Sequence, residues 1–319
     1  MYRHNGAGEM LVYSAADFED FQEQRPDMPS SMEPDLEAVV RHLVQNRWPF
    51  RLHATYEETI VRALDVFERV NRGIPFAGLH WFFDHAETIS PRSIDRVKAL
   101  GGGIAVQHRM AYQGEYFAQR YGNSATRHTP PIRRMLDAGI PVGGGTDATR
   151  VASYNPWVSL YWMVTGKTVG GYTMYAPDNL LDRETALRLW TVGSSWFSND
   201  EDRKGRIKAG QLADLAVLSK DFFGIPEEEI KDITSVLTVV GGRIVHGDDS
   251  FKKLAPALPK ASPAWSPVNA YGGYQHGHAV QRAACVVHGH HHSRAWLSGQ
   301  AVSDEQPFWG ALGCSCWVF

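Results

Sequence analysis

Three side chains with metal-binding chemistry follow short apolar segments of the chain. His53 follows Pro49-Phe-Arg-Leu, His85 closes the run that begins at Phe76, and Asp147 follows Ile140-Pro-Val-Gly-Gly-Gly-Thr. Imidazole nitrogens and carboxylate oxygens suit zinc and similar divalent ions. A bound cation lowers the pKa of water to about 7, and a nearby carboxylate can move a proton from the nucleophile to a leaving group. We therefore take His53, His85 and Asp147 as candidate metal ligands and Asp147 as the candidate catalytic acid and base.

The segments around these residues alternate between strand and helix patterns. Apolar residues recur at the spacing of one helix face before and after the first strand, at Leu36, Val39, Val40, Leu43 and Val44 and at Ile60, Leu64 and Phe67. Ser90-Pro91 and Pro131 indicate the starts of two further helices. Four strands are predicted, at 50–54, 76–85, 103–108 and 140–147. Alternating strands and helices predict βαβ units on a parallel sheet, whose carboxyl ends share one edge. The alternative is that the three residues are ordinary polar residues at strand ends.

The rest of the chain does not show this regular alternation of strands and helices. Residues 109–130 are expected to be mainly a long loop. Residues 148–180 are expected to be loop-rich, and their aromatic side chains would either line a pocket for an apolar substrate group or pack in the core. Residues 199–253 contain a predicted strand at 213–218 and a hairpin at 236–245 with a Gly-Gly turn, which indicates a small β-module. Residues 254–319 are rich in histidine, tryptophan and glycine and predict an irregular tail.

Composition limits the classes of partner. The chain has 319 residues, is 43% hydrophobic and has a formal net charge of -3, so nucleic acid and acidic membranes are not expected partners. Neither a signal peptide nor an apolar run of about 18 residues is evident. All three cysteines, Cys285, Cys314 and Cys316, lie in the tail, so no disulfide-linked core is expected. These features predict a cytoplasmic protein that acts on a small molecule.

Several short motifs together resemble the C-terminal half of metal-dependent hydrolases of the amidohydrolase superfamily, in the branch of the N-substituted formamide deformylases. Leu52-His53-Ala54 is similar to the fifth-strand motif of that family, Asp84-His85-Ala86 to the sixth-strand motif and Gly145-Thr146-Asp147 to the eighth-strand motif. The segment 205–218 is similar to the passage from the barrel into an adjacent β-sandwich. The resemblance implies a partial (β/α)8 TIM barrel, about strands 5–8, over residues 1–198, a β-sandwich-type module over 199–253 and the tail over 254–319.

The resemblance also implies a chemistry. The expected function is hydrolysis of a non-peptide C–N bond, of amide or formamide type, with a divalent metal, zinc being the expected ion. His108 and Gln107 lie where the family places substrate contacts on its seventh strand, although a histidine without a role is equally expected at 108. His80, inside the second predicted strand, is expected to be structural.

Departures from the family pattern leave an alternative. The His-x-His pair of the family's first strand has no counterpart before His53, and no fourth-strand bridging ligand is identifiable in the sequence. The open edge of a half-barrel would expose unpaired backbone groups, which a homo-oligomer could cover. The alternative function is a non-catalytic, metal-binding remnant of the family, with the metal held by the histidine-rich tail at His276, His278, His288, His290, His291 and His292.

Overall fold

The computed structural model describes residues 4–18, 21–149 and 151–257. Its strands are β1 Phe50–Ala54, β2 Trp81–His85, β3 Gly103–Gln107, β4 Val142–Gly145, β5 Leu215–Leu218, β6 Ser235–Val240 and β7 Arg243–Gly247. Its α-helices are α1 Met32–Gln45, α2 Glu57–Gly73, α3 Pro91–Ala99, α4 Met110–Tyr121, α5 Asn123–Thr126, α6 Ile132–Asp137, α7 Pro156–Thr165, α8 Arg183–Arg188 and α9 Ser194–Phe197. A π-helical turn, Leu189–Gly193, joins α8 to α9. Residues 258–319, which include all the histidines of the predicted tail, lie outside the described residues.

The first four strands form one parallel sheet in the order β1-β2-β3-β4, as the alternating pattern predicts. Their in-register pairing gives the sheet two different faces. One face is apolar and carries Phe50, Leu52, Trp81, Phe83, Ile104 and Val106, all buried. The other face carries Arg51, His53, Phe82, Asp84, Gly103, Ala105, Gln107 and Gly143. The small residues on this second face leave room for a cleft.

The apolar face packs against α2 through an aromatic cluster. The Phe67 ring lies 5.1 Å from the Trp81 ring and 5.8 Å from the Phe83 ring, centroid to centroid. Ile60, Leu64 and Phe67 are fully buried, which confirms the predicted helix face. Burying one such side chain contributes about 1.5–3 kcal/mol. The packing of α2 on the apolar face therefore holds the sheet in place.

The predicted helix start at Ser90 is confirmed by its cap, and α8 begins with a similar cap at Asp182. The Ser90 hydroxyl accepts a hydrogen bond from the Ser93 backbone N–H, and Pro91 occupies the first turn of α3. The Asp182 carboxylate accepts a hydrogen bond from the Thr185 N–H at the start of α8. Each cap satisfies a backbone donor that the helix leaves unpaired.

The second predicted strand is too long. Only Trp81–His85 is extended, and the residues from Phe76 to His80 form a turn. The Leu79 N–H donates to the Phe76 carbonyl, and Gly78 has a positive φ of 71°, which a strand cannot contain. His80 therefore lies before the strand rather than inside it, with its ring stacked on Trp196.

The predicted loop at 109–130 is largely helical, whereas the loop-rich segment at 148–180 contains one long helix. Residues 109–130 contain α4 and α5, and residues 148–180 contain α7. Seven consecutive residues of α7, from Ser159 to Thr165, are buried. A helix that is apolar all round has no 3.6-residue polar period to reveal it. Tyr161, Trp162 and Tyr175 are at most 5% exposed, so these side chains pack in the core.

Beyond α9 the chain forms a three-stranded antiparallel sheet in the order β5-β6-β7. The predicted hairpin is confirmed, and Gly241 and Gly242 in its turn both have positive φ, 56° and 78°. The described residues up to Ala255 belong to one compact unit. The boundary between residues 198 and 199 stays a prediction. Within the described residues, no helix combines the length and apolarity needed to cross a membrane.

Candidate metal centre

The carboxyl ends of β1 to β4 form one edge of the sheet and bring the predicted residues together. His53 is the second-to-last residue of β1, His85 is the last residue of β2, and Gln107 is the last residue of β3. Asp147 lies just beyond the end of β4. A cleft of about 240 Å³ opens at this edge. Its lining consists of Glu9, Arg51, Asp84, His85, Ala105, Val106, Gln107, Gly143, Gly144, Gly145, Asp147, Ser194 and Phe197.

Glu9 enters this edge because residues 7–9 lie along β1 like a short additional strand. The Arg51 N–H donates to the Ala7 carbonyl over 2.8 Å, and the His53 N–H donates to the Glu9 carbonyl over 3.2 Å. Gly8 lies between these contacts with a φ of 131°, and a Cβ there would lie 2.3 Å from the Arg51 carbonyl oxygen. Only glycine fits this position without a shift of the backbone. The segment therefore delivers the Glu9 carboxylate to the strand ends.

Glu9, His53 and His85 form a cluster that could hold a metal ion. Their ligand atoms all lie within 4.8 Å of one another. Glu9 Oε2 is 3.6 Å from His85 Nε2, and Glu9 Oε1 is 3.9 Å from His53 Nδ1. Two ligands that share one tetrahedral ion at ~2.1 Å are ~3.4 Å apart, so small adjustments would suffice. The donor set of two imidazoles and one carboxylate is one that binds divalent ions. The cluster found among the described residues does not include Asp147.

Asp17 orients the ring of His53. Its carboxylate lies 3.1 Å from His53 Nε2 and accepts hydrogen bonds from the backbone N–H groups of Thr55 and Tyr56. Asp17 is fully buried. A carboxylate on one ring nitrogen fixes the orientation of a ligating histidine and increases its basicity. The contact leaves Nδ1 of His53 facing Glu9.

Gln107 and Glu87 restrain the ring of His85. The Gln107 side-chain nitrogen lies 2.7 Å from His85 Nδ1 and donates to Glu87 Oε1 over 3.0 Å. The Gln107 side-chain oxygen accepts a hydrogen bond from the Arg109 backbone N–H over 2.6 Å. Both ends of the amide are thus engaged by protein groups. Nε2 of His85 is left on the side of Glu9.

Burial, hydrogen bonds and nearby charges shift the pKa values of several groups in the site. The hydrogen bond with His85 lowers the pKa of Glu9 to about 2. Burial alone would lower the pKa of His53, but the hydrogen bond and charge of Asp17 outweigh it and raise that pKa to about 9. Burial raises the pKa of Asp84 to about 6, and Arg51 partly offsets this effect with its Nε 2.7 Å from the carboxylate. The Glu9 carboxylate is therefore ionised at neutral pH, whereas His53 would release its proton when a cation binds.

The backbone at this edge is strained at three residues. His85, Ala86 and Asp147 have positive φ values of 81°, 56° and 52°. Such conformations cost on the order of 1–3 kcal/mol each for residues other than glycine, and they concentrate at functional sites. The strain therefore supports a functional role for this edge.

The remaining predicted site residues lie in different environments. Asp147 lines the cleft, with its Oδ2 3.2 Å from Arg109 Nη2. His108 is fully buried and is not among the cleft-lining residues, and burial lowers its pKa to about 4. The substrate contacts of His108 and Gln107 and the ligand role of Asp147 stay predictions.

Sequence reasoning missed four residues of the site: Glu9, Asp17, Glu87 and Arg109. All four lie in turns or irregular segments that carry no periodic signal, and Glu87 lies two residues beyond the end of β2. The spacing Gly6-Ala7-Gly8-Glu9 is the one available clue, because small residues beside a carboxylate permit close approach to a neighbouring strand.

Comparison with known proteins identifies the family. A profile described as the amidohydrolase family matches residues 1–246 of the 319. The chain belongs to the amidohydrolase family. This confirms the resemblance that the strand-end motifs predict.

Relatives of this amidohydrolase are longer proteins. The chain is 28% identical over 181 residues to the N-substituted formamide deformylase of Arthrobacter pascens, an alignment that covers 56% of this chain and 33% of the relative. It thus spans about a third of the length of that enzyme. An uncharacterised metal-dependent hydrolase from Pyrococcus horikoshii OT3 has a similar fold, with a TM-score of 0.52 and 22% identity over 61% of this chain and 39% of the other. The zinc complex of atrazine chlorohydrolase TrzN from Arthrobacter aurescens TC1 has a TM-score of 0.50 and 20% identity over 72% of this chain and 49% of the other.

Proposed function

We propose that this amidohydrolase is a metal-dependent hydrolase that cleaves a non-peptide C–N bond of amide or formamide type in a small molecule. The observation that carries the proposal is the cluster of Glu9, His53 and His85 on the same sheet edge as Asp147. Similarity to a formamide deformylase supports the choice of bond.

The first part of the proposal concerns the metal. Glu9, His53 and His85 would hold one divalent ion, with zinc as the expected ion for two imidazoles and a carboxylate. When bound, such an ion supplies a Lewis acid that acidifies water and polarises a carbonyl. Asp147 is kept as a fourth candidate ligand. The metal content of an Asp147→Asn variant tests that role separately from proton transfer.

The second part concerns proton transfer. Asp147 has a partly exposed carboxylate that faces the cleft and can accept a proton from a nucleophile and return it to a leaving nitrogen. Arg109 donates a hydrogen bond to one carboxylate oxygen of Asp147, which orients the group. His108 is kept as a candidate substrate contact on the family resemblance alone, because its ring is fully buried and does not line the cleft.

Gln107 is proposed to act mainly on His85. The hydrogen bonds of its side chain already go to His85, Glu87 and Arg109, so a substrate contact would compete with them. We also propose that β1 to β4 correspond to strands 5–8 of a (β/α)8 barrel. The parallel order and the convergence of polar residues at the carboxyl ends support this correspondence.

The test combines metal analysis with hydrolysis. Metal-free protein is titrated with zinc, and the loaded protein is assayed with N-benzylformamide and N-benzylacetamide. Asp147→Asn is expected to lower kcat at least about 100-fold, the size of a lost acid-base group. Asp178→Asn is the matched control, because Asp178 is an exposed carboxylate that pairs with His128 away from the cleft.

The outcomes separate the two functions. Zinc binding with amide hydrolysis that depends on Asp147 supports the hydrolase. Zinc binding without turnover in any variant would support the non-catalytic remnant. Wild-type protein that fails to bind zinc would contradict both the proposed centre and the proposed activity.

A further inference from the structure

Arg109 is a buried cation beside the cleft. The residue lies in the turn between the end of β3 and the start of α4, and it is 1% exposed. Taking a guanidinium out of water costs several kcal/mol unless an anion and further hydrogen bonds compensate. Its Nη2 lies 3.2 Å from Oδ2 of Asp147, an anion that offsets part of this cost.

Asp147 needs such a partner for a conformational reason. It lies two residues past the end of β4, and its φ of 52° places it in the left-handed region. That conformation is less unfavourable for aspartate than for most L-residues, but it still costs free energy that surrounding contacts offset. Because the side chain is 39% exposed, packing alone does not fix the carboxylate. The ion pair with Arg109 supplies the missing restraint.

The same residue also reaches the metal-ligand side of the site. The Arg109 backbone N–H donates to the Gln107 side-chain oxygen over 2.6 Å, and the nitrogen of that amide lies 2.7 Å from His85 Nδ1. The side chain of Arg109 thus contacts the carboxylate at the end of β4, while its backbone orients the amide at the end of β3. One turn connects two strand ends of the site.

We infer that Arg109 is the positioning residue that sets the carboxylate of Asp147 relative to His85 in the cleft. This inference rests on the proposed function for its catalytic consequence. Arg109 acts through Asp147 and Gln107. Its planar guanidinium fixes the direction of the carboxylate, whereas the ammonium of a lysine keeps the charge without that direction.

The test is a double-mutant cycle on the full chain, with Arg109→Met, Asp147→Asn and the double variant. Each protein is measured for zinc content, for kcat and KM on N-benzylformamide, and for urea unfolding. Arg109→Met is expected to lower kcat about 100-fold with KM and zinc content within about threefold of wild type. The double variant is expected to be no slower than Asp147→Asn alone, because the two residues act as one unit. Arg109→Lys is expected to recover part of kcat.

The unfolding arm does not depend on turnover. The coupling between the two substitutions is expected to change the folding equilibrium constant by about tenfold. Arg62→Met with Glu33→Gln is the control cycle, since that ion pair lies between α1 and α2 and should couple in unfolding without changing kcat.

Three results would overturn the inference: effects on kcat that multiply in the double variant, an unchanged kcat in Arg109→Met, or no coupling in unfolding. Failure of the proposed function has a different signature. Wild type would then show no turnover, while the unfolding cycle would still support or refute the Arg109–Asp147 contact.

Discussion

Glu9 and His85 face each other at the end of the sheet, with Glu9 Oε2 3.6 Å from His85 Nε2. One residue comes from an irregular segment near the start of the chain and the other from the last position of a buried strand. Their approach creates a carboxylate-imidazole pair that neither segment provides alone. The same pair lowers the pKa of Glu9 to about 2, so the carboxylate stays ionised across the physiological range.

The approach of Glu9 depends on Gly8. Gly8→Ala would place a methyl group 2.3 Å from the Arg51 carbonyl oxygen in a left-handed backbone conformation. The segment should move away from β1, and zinc affinity is expected to fall at least about tenfold in a calorimetric titration. Gly101→Ala is the control, because Gly101 also has a positive φ but nothing lies within 4 Å of its Cβ position. Equal zinc affinity in the two variants would show that the segment does not deliver a ligand.

The glycines of β4 should differ sharply in their tolerance of a methyl group. A Cβ on Gly143 would lie 2.7 Å from the Phe197 ring, whereas the nearest atom to a Cβ on Gly145 is 4.0 Å away. Gly143→Ala is expected to lower the free energy of unfolding by about 1–3 kcal/mol through overpacking. Gly145→Ala should change it by less than about 0.5 kcal/mol. Urea denaturation measures both, and equal effects would argue against the packing of α9 on the sheet.

His108 should make the stability of the protein depend on pH. Its folded pKa of about 4 lies below the ordinary 6.5, with burial as the main cause. Between these values the unfolded chain binds a proton that the folded protein does not, so stability falls as the pH drops from about 6.5 to about 4. The contribution of His108 is at most about 3 kcal/mol.

The measurement for His108 is urea unfolding at several pH values, with chelator present, for wild type and His108→Gln. The stability of wild type should fall relative to that of His108→Gln as the pH drops from about 6.5 to about 4, since the other titrating groups are common to both. A difference that stays constant between pH 4 and 6.5 would mean that His108 is not held in its neutral form.

Regular patterns predict a substantial part of the fold. His53, His85 and Asp147 could be placed at one edge because apolar segments that alternate with amphipathic helices predict parallel strands, and parallel strands end together. The residues of α7 do not alternate between apolar and polar with a helical period. The sequence of this helix is therefore easily mistaken for an aromatic loop. Its burial depends on the elements that surround it in three dimensions.

The missed parts of the site share a physical cause. Glu9 is held by backbone hydrogen bonds to β1, and such bonds leave little trace in residue type. Arg109 lies in a turn, is 1% exposed and pairs with Asp147, which is 38 residues away in the sequence. In both cases the position depends on pairing across the fold rather than on local preference. The side chains that stand alone in the sequence acquire their partners only after folding.

Zinc binding to Glu9→Gln tests the central claim most directly. Metal-free wild type, Glu9→Gln and the control Glu33→Gln, whose carboxylate pairs with Arg62, are titrated calorimetrically with zinc. If Glu9, His53 and His85 form the centre, Glu9→Gln should bind zinc at least about 100-fold more weakly than wild type, with Glu33→Gln unchanged. Wild-type zinc affinity in Glu9→Gln would contradict the assignment of this metal centre.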